Sequence, residues 1–142
     1  MATNPPITIG PFANVPAPGS GVKSDWAQQI TNYVLRTAWT AVTFNGNWAN
    51  YGNGYQGVQY RKEGDRVWLR GQAVAGATPP NLILTLPVGF RPVASALMMV
   101  DDTSAGHSSR IDISTGGTIT MAAPVAATIY GFDRITFSIS AT

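Results

Sequence analysis

NWANYGNGYQGVQYRKEGDRVWLRGQAVAG, Asn47 to Gly76, followed after a short linker by LILTLPVGFRP, Leu82 to Pro92, reads as a string of short strands separated by tight turns. Val67, Leu69, Gly71 and Ala73 fall on one face of a strand whose other face carries Arg66, Trp68, Arg70 and Gln72. That period of two marks a sheet with two different environments. Val58 and Tyr60 are expected across from it. Between the two strands lies Lys62-Glu63-Gly64-Asp65, where Gly64 takes the positive φ of a hairpin turn at no steric cost. The stretch presents a surface and holds no recognisable catalytic constellation.

Strands and turns continue outward from this block. The sequence predicts strands over Trp39 to Phe44, Trp48 to Tyr51, Gly57 to Lys62, Arg66 to Val74, Leu82 to Leu86, Val93 to Val100, Arg110 to Ser114, Thr118 to Met121, Ala127 to Tyr130 and Arg134 to Ser140. Their spacing of roughly 8 to 12 residues is that of an antiparallel sandwich or barrel. Ile135, Phe137 and Ile139 alternate with polar neighbours, so the last strand has one core face and one wetter face. Thr115-Gly116-Gly117 signals a hairpin between Ile113 and Ile119. No helical crossovers intervene, which argues against an α/β enzyme fold. No solenoid or propeller repeat, collagen-like triplet or long heptad is present.

The N-terminal part has a different character. Residues 1–22 hold Pro5, Pro6, Pro11, Pro16 and Pro18 among several glycines, which forbids helix and predicts an extended arm. Ile7, Ile9, Phe12 and Val15 are apolar residues that a purely solvating tail would not carry, and they are the candidate residues for anchoring the arm along a neighbour's surface. Residues 23–38 read as a helix: Ser24 or Asp25 caps it, Gln28 completes a capping box, and Trp26, Ile30, Tyr33 and Val34 form a narrow apolar stripe. That stripe must pack on the sheet domain or on the same helix of other subunits. The expected fold class is therefore mainly β: an antiparallel sandwich or barrel over 39–142, preceded by the arm and one short α-helix.

Composition narrows the function. Charged residues make up 11% of the 142-residue chain, against about 25% in soluble domains. Much of the surface must be neutral or apolar, which favours a subunit of an assembly. The net charge is +2, but the basic residues are scattered apart from Arg61, Lys62, Arg66 and Arg70, too sparse for a nucleic-acid stripe. With no cysteine, disulfides, thiol catalysis and cysteine-type zinc sites are excluded. Met1 to Pro18 lacks the basic start and apolar block of a secretory signal, and no run of about 18 apolar residues spans a bilayer, so neither export signal nor membrane partner is expected.

The search for chemistry returns no site. The single histidine, His107, lies in DDTSAGHSSR beside Asp101, Asp102, Ser104, Ser108 and Ser109. The segment lacks a nucleophile elbow and a second histidine, and its composition suits a solvated loop between Val100 and Arg110. Glu63 and Asp65 flank a turn glycine and read as turn residues rather than a glycosidase pair. No catalytic, cofactor-binding or metal-binding residue is assigned, and no cofactor is expected. Trp48, Tyr51, Tyr55, Tyr60 and Trp68, interleaved with asparagines and Gln56, suit either a sugar-stacking surface or a core with Trp48 and Tyr60 inside. The candidate surface contacts are Trp68, which shares its predicted face with Arg66 and Arg70, and Tyr55.

Two blocks carry a resemblance. ITIGPFANVPAPGSGVKSDWAQQITNYV, Ile7 to Val34, resembles the N-terminal segment of small virion proteins of tailed bacteriophages, especially those of actinobacterial hosts. VQYRKEGDRVWLRG, Val58 to Gly71, with TLPVGFRP, Thr85 to Pro92, is similar to the C-terminal β domains of phage minor tail proteins, tail fibres and capsid decoration proteins. The resemblance implies a non-enzymatic virion protein, assembled in the host cytoplasm as a homotrimer and anchored by its arm. Trp26 to Val34 would be an anchor or trimer helix, and Gly64, Gly71, Gly89, Phe90, Arg91 and Pro92 turn and framework residues. Two functions follow as expectations. The first is a trimeric capsid decoration protein bound to the major capsid protein. The alternative is a short tail-tip or tail-fibre protein, bound to a tail protein, that contacts a host-surface glycan.

Overall fold

The computed structural model describes residues 8–9, 12–13, 36–103 and 106–140. Among the described residues thirteen strands run in chain order: β1 Thr8–Ile9, β2 Phe12–Ala13, β3 Thr40–Ala41, β4 Trp48–Asn50, β5 Gln59–Glu63, β6 Arg66–Arg70, β7 Gln72–Ala75, β8 Leu82–Thr85, β9 Ala96–Asp102, β10 His107–Ile113, β11 Thr118–Met121, β12 Ile129–Gly131 and β13 Thr136–Ser138. β1 and β2 pair as a small hairpin. The remaining strands build two sheets, one of seven strands in the order β4-β7-β12-β9-β10-β11-β8 and one of four in the order β13-β6-β5-β3. Every pairing is antiparallel.

The seven-stranded sheet curls until its outer strands nearly meet. Phe44 bridges Leu84 of β8, and the Asn45 amide donates to the Ile83 carbonyl at 2.8 Å. Four residues after Phe44 the same chain is β4, at the opposite edge. The Trp48 indole N–H donates to the Pro80 carbonyl at 2.9 Å, tying the turn before β8 to β4. The barrel-like interior is filled by Trp48, Ile83, Leu84, Val100, Ile111, Ile113, Ile119, Met121, Tyr130 and Phe132, all buried. Trp48 and Tyr130 pack with ring centroids 5.5 Å apart.

The two sheets are joined by strands that pass from one into the other. β6 ends at Arg70 and β7 begins at Gln72, so Gly71 is the crossing point. Its φ is +99°, and a Cβ there would sit 2.2 Å from the Gly57 carbonyl oxygen. Opposite, β12 turns into β13 through Phe132 to Ile135. Phe132 N donates to Gly71 O at 2.8 Å, while Gly71 N donates to the Asp133 carboxylate at 3.0 Å. Arg134 holds a φ of 72° in that turn, a region side chains rarely occupy. Val67, Leu69, Ile135 and Phe137 then cover the inner face of the small sheet, continuous with the core of the large one.

The central alternation is confirmed: Val67, Leu69, Gly71 and Ala73 are buried, and Arg66, Trp68, Arg70 and Gln72 face outward to different degrees. Tyr60 pairs with Leu69, and Gly64 has a φ of 61° in a two-residue turn. Ile113 lies opposite Ile119, as the Gly-Gly signal requires.

The expected fold class needs correction. The described residues are all β with no helix, and a nearly closed seven-stranded sheet beside a four-stranded one replaces a plain sandwich behind a helix. Arg36 to Ala38, the end of the expected helix, are not helical. Thr37 N donates to the Lys62 carbonyl at 2.9 Å, and Lys62 N donates to Thr37 Oγ1, so pairing along β5 takes up the groups a helix would need. The rest of that helix, with Trp26, Ile30, Tyr33 and Val34, lies outside the described residues. So do the side chains of Ile7, Ile9, Phe12 and Val15.

Gly71→Ala should lower unfolding free energy by about 3 kcal/mol or more, since backbone cannot yield as a flexible side chain would. Asp133→Ala, which removes one partner of the same corner, should cost about 1 kcal/mol. Urea denaturation measures both.

Candidate functional site

The outer face of the four-stranded sheet gathers the polar and aromatic residues of the central hairpin. Register sets the arrangement: Arg61 lies opposite Trp68, Gln59 opposite Arg70, and Glu63 opposite Arg66. On the other side of β6, Thr136 pairs with Trp68 and Ser138 with Arg66. Side chains at such positions stand on one side of a sheet, close enough to touch across strands.

Trp39 completes this face. It precedes β3, and the Arg61 and Arg70 guanidinium carbons lie 4.5 and 4.2 Å from its ring centroid. Contacts of this kind are worth about 0.5–1 kcal/mol when exposed and more when desolvated. Arg70 is fixed further by two hydrogen bonds, from Nε at 3.0 Å and Nη2 at 2.7 Å, to Gln59 Oε1. Arg61 donates to Glu63 Oε2 at 3.1 Å, while Arg36 donates to Glu63 Oε1 at 2.7 Å. Arg61 Nε is buried and has no hydrogen-bond partner among the described residues. Arg66 is exposed and donates to Thr136 Oγ1 at 3.2 Å.

Arg36, Arg61, Arg66 and Arg70 thus share a face on which Glu63 supplies the carboxylate that Arg36 and Arg61 meet. The guanidinium groups of Arg61 and Arg70 both lie over Trp39. Trp68 is half-buried beside them.

The structure brings Arg66, Trp68 and Arg70 together, as their alternation predicts, and sets Tyr55 apart. Tyr55 is exposed in the turn after β4 and packs against Tyr51 at 5.2 Å. Trp48 is core and Tyr60 packs against it. Trp39 is a site residue that the sequence reading missed. The alternation of Trp39, Ala41 and Thr43 against the inward Val42 and Phe44 held the signal.

His107 is not in a loop but opens β10, opposite Asp102 of β9. Asp102 is buried and accepts a hydrogen bond from Ser109 Oγ at 2.8 Å, so these polar residues hold a strand end together. No cluster of three or more His, Cys, Asp or Glu side chains that could hold a metal ion occurs among the described residues.

No protein-family model and no curated protein matches the chain. Among solved structures, it is similar to the crystal structure of the receptor binding protein (gp15) of Listeria phage PSA. The match has a TM-score of 0.62 at 18% sequence identity, and covers 80% of this chain and 71% of that one. At that identity the likeness is one of fold.

Trp39→Ala should lower the melting temperature more than Glu63→Gln, because it removes the platform of two arginines. Loss of the part-exposed ion pairs alone should change stability by less than about 1 kcal/mol. A pair of thermal melts decides the order.

Proposed function

We propose that this chain is a bacteriophage virion protein of the tail, a receptor-binding module that acts by contact and not by catalysis. The observation that carries the reading is the fold shared with the Listeria phage receptor binding protein over most of the chain. That likeness favours the tail reading over capsid decoration. The contact surface is the outer face of β13-β6-β5-β3, with Trp68, Arg66, Arg70 and the Trp39 stack, and its partner is a host-surface glycan. Amides, guanidinium edges and a half-buried indole suit hydroxyl-rich ligands, and the arginines are held in place before any ligand arrives.

In this reading the N-terminal arm joins a tail protein through Ile7, Ile9, Phe12 and Val15, and copies assemble as a homotrimer in the virion. The low charged fraction of the chain supports burial against neighbouring subunits.

Purified, fluorescently labelled protein should bind intact cells of the host and compete with phage adsorption. Trp68→Ala and Arg70→Ala should each weaken cell binding at least about ten-fold, with melting curves showing folded protein. Cell binding unchanged in both variants would refute this face as the contact surface. Labelling of phage heads in place of cells would refute the tail reading.

A further inference from the structure

Apart from that face, the surface is indented where the two sheets part. A cleft of about 250 Å³ opens between the chain at Val42 and Thr43 and β8 at Leu84 and Thr85, with Tyr60 and Arg91 completing its lining. That volume is below the ~300–1,000 Å³ of drug-sized pockets and fits one small ligand. None of Trp39, Arg61, Arg66, Trp68 or Arg70 borders it.

Arg91 is placed there by construction. Its Nε donates to the Leu86 carbonyl at 2.9 Å. Its stem lies against Gly117, where an added Cβ would come within 2.8 Å of Arg91 Cγ and 2.9 Å of Nε. These contacts use one donor and fix the guanidinium, while its two terminal amino groups make no hydrogen bond or ion pair among the described residues. No aspartate or glutamate lines the cleft. The hydroxyls of Thr43, Tyr60 and Thr85 are likewise without a hydrogen-bond partner among the described residues. Val42 and Leu84 supply an apolar wall.

We propose that this cleft binds one ring-sized polyol bearing a single carboxylate, the chemistry of a uronic acid unit. The fixed guanidinium takes the planar carboxylate through its remaining donors. The three hydroxyls, each both donor and acceptor, pair with ring hydroxyls. The apolar wall covers the C–H face of the ring. One unopposed guanidinium balances one charge, whereas a phosphomonoester would bring close to two. The site stands independently of the receptor-binding reading.

The test is a titration of the isotope-labelled full chain with sodium glucuronate, followed by amide chemical shifts, with glucose as the neutral probe at matched ionic strength. The expected result is saturable shifts at the Thr43, Thr85 and Arg91 amides with Kd on the order of 1 mM. Glucose should bind at least about ten-fold more weakly, and Arg91→Gln should weaken glucuronate by about the same factor. Thr85→Val, at an exposed position, keeps the test decisive if Arg91→Gln does not fold, and should weaken binding several-fold. Absence of saturation, equal binding of glucose, or wild-type affinity in Thr85→Val overturns the proposal.

Discussion

The close passage of Gly71 past the carbonyl of Gly57 is the constraint on which the two-sheet arrangement rests. At this point the chain leaves β6 of the small sheet and enters β7 of the large one, and the left-handed backbone of Gly71 makes the turn without a side chain in the way. Asp133 and Phe132 close the corner from the opposite strand pair, so both crossings meet at one place. A corner made by strands that switch sheets is a general solution for packing two sheets over a shared core. Here it also fixes the relation between the barrel-like sheet and the face that carries the arginines.

That relation explains how a chain with few charges concentrates several of them. The inner positions of β5, β6 and β13 are committed to the core through Tyr60, Val67, Leu69 and Phe137. Alternation then forces Gln59, Arg61, Arg66, Trp68 and Arg70 outward together. Guanidinium groups this close repel one another. Stacking on Trp39 and sharing of Glu63 and Gln59 offset that repulsion and hold the side chains in defined positions. The Arg91 cleft follows a related logic, with a backbone carbonyl holding the cation in place of an aromatic ring.

Much of this was legible in the sequence, and the gaps have physical causes. The alternation from Arg66 to Ala73 and turns with glycine at a required position, such as Gly64 and Gly117, were read correctly because local chemistry determines them, whereas the single strand expected over Arg66 to Val74 is two, β6 and β7, parted at Gly71 by a close passage to Gly57 that leaves no local signal. The shared outward face of Arg66, Trp68 and Arg70 came with that alternation. The helix expected to run to residue 38 failed at its end because Thr37 finds partners on β5 that lie far away in sequence. The expected loop at His107 became a strand for a different, local reason: β9 and β10 are neighbours in sequence, and Ser109 of β10 bonds Asp102 of β9, which extends their pairing to His107. Trp39 escaped notice as a site residue because its role depends on two arginines more than twenty positions downstream. The Arg91 cleft needs three separate segments and has no local signature.

The bridge between Phe44 and Leu84 also bears on how copies of the chain meet one another. An open seven-stranded sheet would offer two rows of unsatisfied amides and carbonyls to any neighbour, and crowded copies would tend to zip together. Stapling one margin to the other through a few residues removes that template. The remaining margins, β3 and β13, are two and three residues long, too brief to seed a fibre. Closure of the large sheet therefore works as protection against self-aggregation wherever the local concentration of the chain is high.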